Sequence, residues 1–376
     1  MKRMLIILAV LLMIPGICFG AEDTGTEEYD EYLRSFDLSS FELLDDETTE
    51  FLDSLGILDF DYENLTDISM SSVFEHIWNV LTQKVDGPLK SGIIVIVFIL
   101  LASFFRSFNS EISKSDMSST FSTVSTLIIS IFLTYNLTDC IGLCCSTIKL
   151  CSNFSFAFFP AFCIIVATSG SAMTSFSVNT TLLVLAQALN YISELIFIPV
   201  TNCFLALGIS SGIRQELNLN SIIRMLKRVI TTAISTVSAI FVSILSVKTA
   251  VASKADALGL RSVRFAINSV VPVIGSSISE GLLSIQSYSS LIKTSVGVVG
   301  IIAVVSIFLP ALIEVNLWRA VLSLASMCGD IFGDTASVRA LETFKDALLI
   351  VDVLLILTMV TTIISIGILV AAKSGV

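Results

Sequence analysis

The sequence predicts an all-α fold: a polytopic integral membrane helix bundle of about seven spans. At least one segment is broken or re-entrant, and a small acidic N-terminal segment stands outside the cytoplasm. Three observations carry this expectation. The chain is 54% apolar and only 14% charged over 376 residues, against roughly 25% charged in ordinary soluble domains. Its mean hydropathy is +0.91, which excludes a soluble globular enzyme. The charge is also unevenly spread. Residues 21–75 hold eighteen of the 32 acids and a single base, Arg34, for a local net charge of −17. The remaining body beyond residue 75 carries a net +4. No basic patch of the size needed for a phosphate backbone exists, so nucleic acid is excluded as a ligand.

The chain divides into three parts. Residues 1–20 read as a signal peptide: Lys2 and Arg3 precede the apolar run Met4–Ile14, Pro15-Gly16 break it, and Cys18-Phe19-Gly20 supply small residues for cleavage before Ala21. An uncleaved anchor is the alternative, although eleven apolar residues are short for a span of about 17–25. Residues 21–88 form the acidic extracytoplasmic segment. Phe41, Leu44, Phe51, Leu52 and Leu55 keep approximate helical spacing, as do Val73, Ile77, Val80 and Leu81. Two amphipathic helices follow from this, the second entering the membrane through Gly87-Pro88. The segment reads either as a docking surface for a basic partner or as a solvated charged face.

Residues 89–376 form the transmembrane domain. Its uncharged runs are Ser91–Phe105, Met117–Thr138, Leu150–Ser193, Leu195–Ile213, Val229–Val247, Ala266–Ser279, Thr294–Ile313 and Val353–Ala372. Each span must satisfy its own backbone, which favours helices, and the Ser, Thr and Gly content favours helix-on-helix packing. Leu150–Ser193 is too long for one span and is expected to break at Ser169-Gly170-Ser171. Placing Arg214, Arg224, Lys227 and Arg228 in the cytoplasm requires either two crossings between Thr180 and Ser211, broken around Glu194–Pro199, or a re-entrant segment. Both remain open. Arg261–Lys293 is too polar to face lipid and too apolar for a free loop. Pro272, Gly275 and Gly281 are expected to break a helix there, and Asn268 and Glu280 need protein or water around them. The segment reads as a broken helix beside a pore, or as an amphipathic hairpin on the interface. Asn268, Pro272, Gly275, Glu280, Gly170, Ser171 and Glu194 are therefore the candidate pore or packing residues.

No catalytic, cofactor-binding or metal site is expected. The phosphate loop GxxxxGK[ST], the GxSxG elbow and the HExxH pair are all missing. His76 is the sole histidine and reads as an interface residue. Any energy must come from a partner or a gradient. Cys140, Cys144, Cys145 and Cys151 cluster at an expected external loop without zinc spacing; buried thiols and a disulfide are both open. Glu194 has equal claim to a structural hydrogen bond or an ion site. Glu314 and Asp352 have Arg319 and Lys345 within a turn or two, so pairing or snorkelling accounts for them.

Several blocks together resemble one family. They are the lead-in SSVFEHIWNVLTQKVDGPLKSG, the run FFPAFCIIVATSGSAMTS (Phe158–Ser175), LGLRSVRFAINSVVPVIGSSISEG (Leu258–Gly281) and LIKTSVGVVG (Leu291–Gly300). In this order, from Ser71 onward, the chain resembles the stage III sporulation protein AE family of endospore-forming bacteria. NSVVPVIG and IKTSVGVVG are the most specific parts. The Cys140–Cys151 cluster is not part of the likeness. The resemblance implies a polytopic component of a secretion-like, transenvelope channel complex in the mother-cell membrane, facing the forespore and needed for its development. It implies partners from the same operon: a cytoplasmic ATPase, single-span ring proteins and small polytopic proteins, within membrane lipid. Self-association into a homo-oligomer is left open. The alternatives are a stand-alone secondary transporter, which inverted repeats would favour, and a scaffold with no passage of its own.

Overall fold

In the computed structural model the described residues are 33–58, 70–112, 116–191, 199, 206, 220–270 and 275–372. The signal-peptide region, Glu194 and Pro272 lie outside them. Among the described residues there is no strand. A 3-10 turn at Ser39–Leu43 leads to α1 (Asp46–Ser54), then α2 (Met70–Ile112) and α3 (Asp116–Val166). A π-helical segment, Ala167–Ser171, joins α3 to α4 (Ala172–Tyr191). α5 (Asn220–Val270), α6 (Gly275–Ile331) and α7 (Thr335–Ala371) complete the chain.

Among the described residues, five helical stretches are long and apolar enough to cross a membrane: Ser72–Phe105, Thr123–Ala188, Arg228–Gly259, Gln286–Ile331 and Thr335–Ala371. The sequence reading of about seven separated two runs, Met117–Thr138 and Leu150–Ser193, that share one helical stretch here. Asp139 and Lys149 lie between those runs but inside α3. A charged pair ten residues apart does not stop a helix whose backbone is otherwise unbroken. The same continuity corrects the expected external loop at Cys140–Cys151. These residues are helical, and Cys140, Cys144, Cys145 and Cys151 are buried free thiols. Gly281, expected to break a helix, lies within α6.

α6 is the axis of the bundle. The most apolar window of its span is 94% buried, with Val299, Ala303, Val304, Phe308 and Ala311 fully enclosed. α7 returns antiparallel beside it after a turn at Gly333, where Asp334 accepts a hydrogen bond from the Ser337 amide. α2 runs parallel to α6, with Lys84 beside Glu314 and the Ser103 hydroxyl donating to the Phe332 carbonyl. α2 passes through Pro88 without stopping, although proline removes one intrahelical bond there.

α3 and α6 meet in close contact. Phe154, Phe158 and Phe162 recur every four residues on one face of α3 and stack with centroids 5.1 Å apart at each step. Gly300 lets this ladder approach: a β-carbon there would stand 2.7 Å from the Phe158 ring. Small residues allow helix axes to close in this way. The N-terminal segment docks on the same ladder. Phe41 lies edge-on to Phe154 and Phe158 at 5.5 and 5.7 Å, and Phe51 stacks on His76 at 3.9 Å. Phe41, Leu44, Phe51 and Leu52 are buried, as their spacing predicts; Leu55 is half-buried.

Candidate functional site

The helical stretch Thr123–Ala188 breaks once, at Ala167–Ser171. Gly170 takes φ of 91° there, a left-handed conformation open to glycine at little steric cost. Breaking a helix leaves carbonyls on one side and amides on the other without helical partners, and at membrane depth these must be satisfied by protein. Side chains do this on both sides. The Thr168 and Ser169 hydroxyls donate to the Ile165 and Val166 carbonyls at 2.9 and 2.8 Å, and the Ser175 hydroxyl donates to the Cys163 carbonyl. The sequence signal for the break, Ser-Gly-Ser within TSGSAMTS, therefore supplies both the kink and the groups that satisfy it.

The amides at the start of α4 are satisfied from elsewhere in the chain. The Met173 and Thr174 N–H groups donate to the two Asp256 carboxylate oxygens at 2.6 and 2.9 Å, and the Thr174 hydroxyl adds a third bond at 2.7 Å. Asp256 is on α5 and is only 5% exposed. It acts as an N-cap delivered in trans, combining the acceptor that a helix start needs with a negative charge at its positive end. This ties α5 to the break, and the Lys248 Nζ bond to the Thr181 hydroxyl at 2.8 Å adds a second tie eight residues earlier. Ser171 is fully buried beside the break, and its hydroxyl has no hydrogen-bond partner among the described residues.

A second polar constellation links α6 and α7. Arg319 on α6 donates to Asp352 on α7 at 2.7 Å, and the Asn316 amide donates to the other Asp352 oxygen at 3.1 Å. The Asp352 side chain is fully buried and Arg319 is 21% exposed. Glu314 pairs instead with Lys84 of α2 at 3.8 Å. The acids near these span ends are thus paired across helices: sequence proximity linked Glu314 with Arg319, and the fold links Arg319 with Asp352. Near one end of the bundle, buried Lys293 of α6 donates to the Ala372 carbonyl at 2.8 Å, placing a cation at the C-terminal end of α7.

Of the residues singled out from sequence, Gly170 and Ser171 sit at the break. Asn268 lies near the end of α5, and Gly275 and Glu280 in the first turns of α6. Asp256 was missed by sequence reasoning. Its signal was available: it is the only acid between Glu216 and Glu280, within a stretch rich in bases. Among the described residues no group of three or more His, Cys, Asp or Glu could hold a metal. What the arrangement does chemically is hold a broken helix open with the Met173 and Thr174 amides at its start bonded to Asp256.

Comparison with known proteins adds the following. The family described as stage III sporulation protein AE matches residues 57–373. Stage III sporulation protein AE of Bacillus subtilis (strain 168) is 24% identical over 160 residues, covering 43% of this chain and 40% of that protein. The aligned part therefore spans well under half of either chain. No solved structure matches.

Proposed function

Because the chain belongs to the stage III sporulation protein AE family, with a match over residues 57–373, and so has a role in sporulation, we propose that it is a polytopic membrane component of a transenvelope complex between mother cell and forespore. In this reading it works within a secretion-like channel apparatus required for forespore development. Its partners are other proteins of the stage III A operon: a cytoplasmic ATPase, single-span ring proteins and small polytopic proteins. It resides in the mother-cell membrane with the acidic N-terminal segment outside the cytoplasm, and it is not itself an enzyme.

The observation that carries this reading is the family match over most of the chain. The structure supports it in two ways. Five apolar helices suit a membrane protein, and the break at Ala167–Ser171 is built as a permanent feature, with its carbonyls and amides bonded by side chains. The same feature weighs against a stand-alone transporter. In broken-helix transporters the exposed N-terminus of a half-helix binds the substrate, whereas the start of α4 is already occupied by Asp256. A scaffold without a passage differs from the proposal in what deletion of residues 21–75 does: the scaffold loses all function, and a channel body retains some.

The test is affinity purification of the tagged full-length chain in mild detergent from sporulating cells, followed by mass spectrometry. Recovery of the operon's ATPase and ring proteins in reproducible ratio is the expected result. A chain recovered without any of them overturns the complex.

A further inference from the structure

α6 changes character where it passes the break. Ser289, Lys293, Gly297 and Gly300 recur at intervals of four, four and three residues, so one face of the helix carries them all. The two glycines take the aromatic ladder of α3, with Phe162 against Gly297 and Phe158 against Gly300. The helices are antiparallel, so each turn further along α3 meets the preceding turn of α6. Val166 therefore comes level with Lys293, and Gly170 and Ser171 come level with Ser289. α6 packs directly on the break. Where α3 stops being a regular helix, the facing side of α6 turns polar.

Three polar side chains stand at this level, and all are sealed from solvent. Lys293 is 3% exposed, and Ser171 and Ser289 are fully buried. The Lys293 ammonium has three N–H donors and spends one on the Ala372 carbonyl. Among the described residues it has no second bond and no carboxylate partner. The Ser171 and Ser289 hydroxyls have no hydrogen-bond partner among those residues. An ammonium taken out of water without an opposite charge is costly, and so is a buried hydroxyl left unpaired. Asp256 does not supply the missing charge, because both its oxygens are engaged by Met173 and Thr174. The surrounding chain adds to the imbalance. Residues 248–293 carry five bases and two acids, which makes this part of the bundle attractive to negative charge.

We propose that Lys293, Ser289 and Ser171 form a binding site for a small monovalent anion, with chloride as the type. The site offers one positive charge and two hydroxyl donors, a set that matches an anionic acceptor. The occupant is small, because side chains this enclosed leave no opening for a phosphate ester or a lipid headgroup. Once bound, it compensates a lysine that would otherwise stand uncompensated inside the bundle. It also ties α6 and the end of α7 to the break, as Asp256 ties α5 to it. The inference does not rest on the sporulation reading and stands or falls apart from it.

The experiment follows thermal unfolding of the purified full-length chain in mild detergent, with sodium chloride exchanged for sodium gluconate at constant ionic strength. The midpoint is expected to rise with chloride and to level off, as mass action requires of a ligand bound only by the folded chain. Bromide should act like chloride. Lys293→Met, an apolar replacement of similar volume of the kind buried charged sites tolerate, is expected to abolish the dependence. Ser289→Ala and Ser171→Ala should each weaken the apparent affinity about tenfold, the effect of losing one hydrogen bond to a charged group. Equal midpoints in chloride and gluconate overturn the proposal and leave water as the partner of these groups. A rise that never levels off, or one that persists in Lys293→Met, also overturns it. Should Lys293→Met fail to fold, the serine variants decide: an apparent affinity unchanged in both refutes the site.

Discussion

Replacing Asp256 with alanine removes the one carboxylate that satisfies the start of α4. Three bonds are lost at once: two from backbone amides at 2.6 and 2.9 Å and one from the Thr174 hydroxyl at 2.7 Å. A hydrogen bond to a charged group contributes about 1.5–3 kcal/mol, and a buried donor left unpaired costs about 1–3 kcal/mol. The three bonds share one acceptor and are not additive. Water admitted into the space left by the side chain recovers part of the loss. The expected destabilisation of Asp256→Ala is therefore about 3–5 kcal/mol, in the range for removing one partner of a buried charged contact. Asp256→Asn keeps one acceptor oxygen and adds an N–H that faces two donors, so about 2–3 kcal/mol is expected. Thr174→Val removes only the hydroxyl bond and should cost about 1 kcal/mol. The assay is unfolding of the purified chain in mixed micelles of rising SDS fraction, with a cysteine-reactive dye reporting at Ser171→Cys in each background. Labelling at that position should accelerate in Asp256→Ala, because the break loosens before the bundle melts. If Asp256→Ala unfolds with Thr174→Val, or labelling does not change, the trans cap is not what holds the break.

Three further expectations follow from the packing. Arg319→Met leaves the fully buried Asp352 without its cation and should destabilise by about 3–5 kcal/mol, whereas Arg319→Met with Asp352→Leu should recover most of that loss in the same SDS titration. Gly300→Val drives a side chain into the Phe158 ring and should cost about 1–3 kcal/mol by overpacking, relieved by Phe158→Leu if the aromatic ladder is the obstacle. In α1, burial pushes the half-buried Glu47 carboxyl above its ordinary range; Lys84 opposes this and the Asp45 and Glu50 charges add to it. A raised folded-state value means the docked segment binds a proton more readily than the free one. Docking therefore weakens as pH rises from the ordinary carboxylate range through the raised value, and tightens as pH falls. Hydrogen exchange of residues 46–54 should show this trend, and Glu47→Gln should abolish it.

The break at Gly170 was legible because its chemistry is local. A glycine between serines, inside an uncharged run too long for one span, marks both where the chain turns left-handed and which hydroxyls satisfy the freed carbonyls. The burial of Phe41, Phe51, Val73 and Val80 was equally legible from spacing, since an amphipathic helix has one face to bury. The pairing of charges was not. Asp256 and Met173 are 83 residues apart, and Arg319 and Asp352 are 33 apart; neither separation is encoded by any helical period. Charge spacing invited pairing within one stretch, whereas antiparallel packing of α6 and α7 sets Arg319 against Asp352. The expected division between Met117–Thr138 and Leu150–Ser193 was lost for a related reason, while the expected run Leu195–Ile213 lies almost wholly outside the described residues. A helix continues past a charge when neighbouring helices accept it, so Asp139 and Lys149 interrupt hydropathy without interrupting α3.

By itself the sequence determined that this is a helical membrane protein, where one of its helices breaks, and which family it resembles. Those properties follow from composition, from local backbone preference and from ordered sequence blocks, all of which act over a few tens of residues. The tertiary structure alone decided which acid caps the broken helix and which cation neutralises Asp352. Each of these depends on helix register, and register is set by close contacts such as Gly300 against Phe158. Those contacts have meaning only once the helices have met.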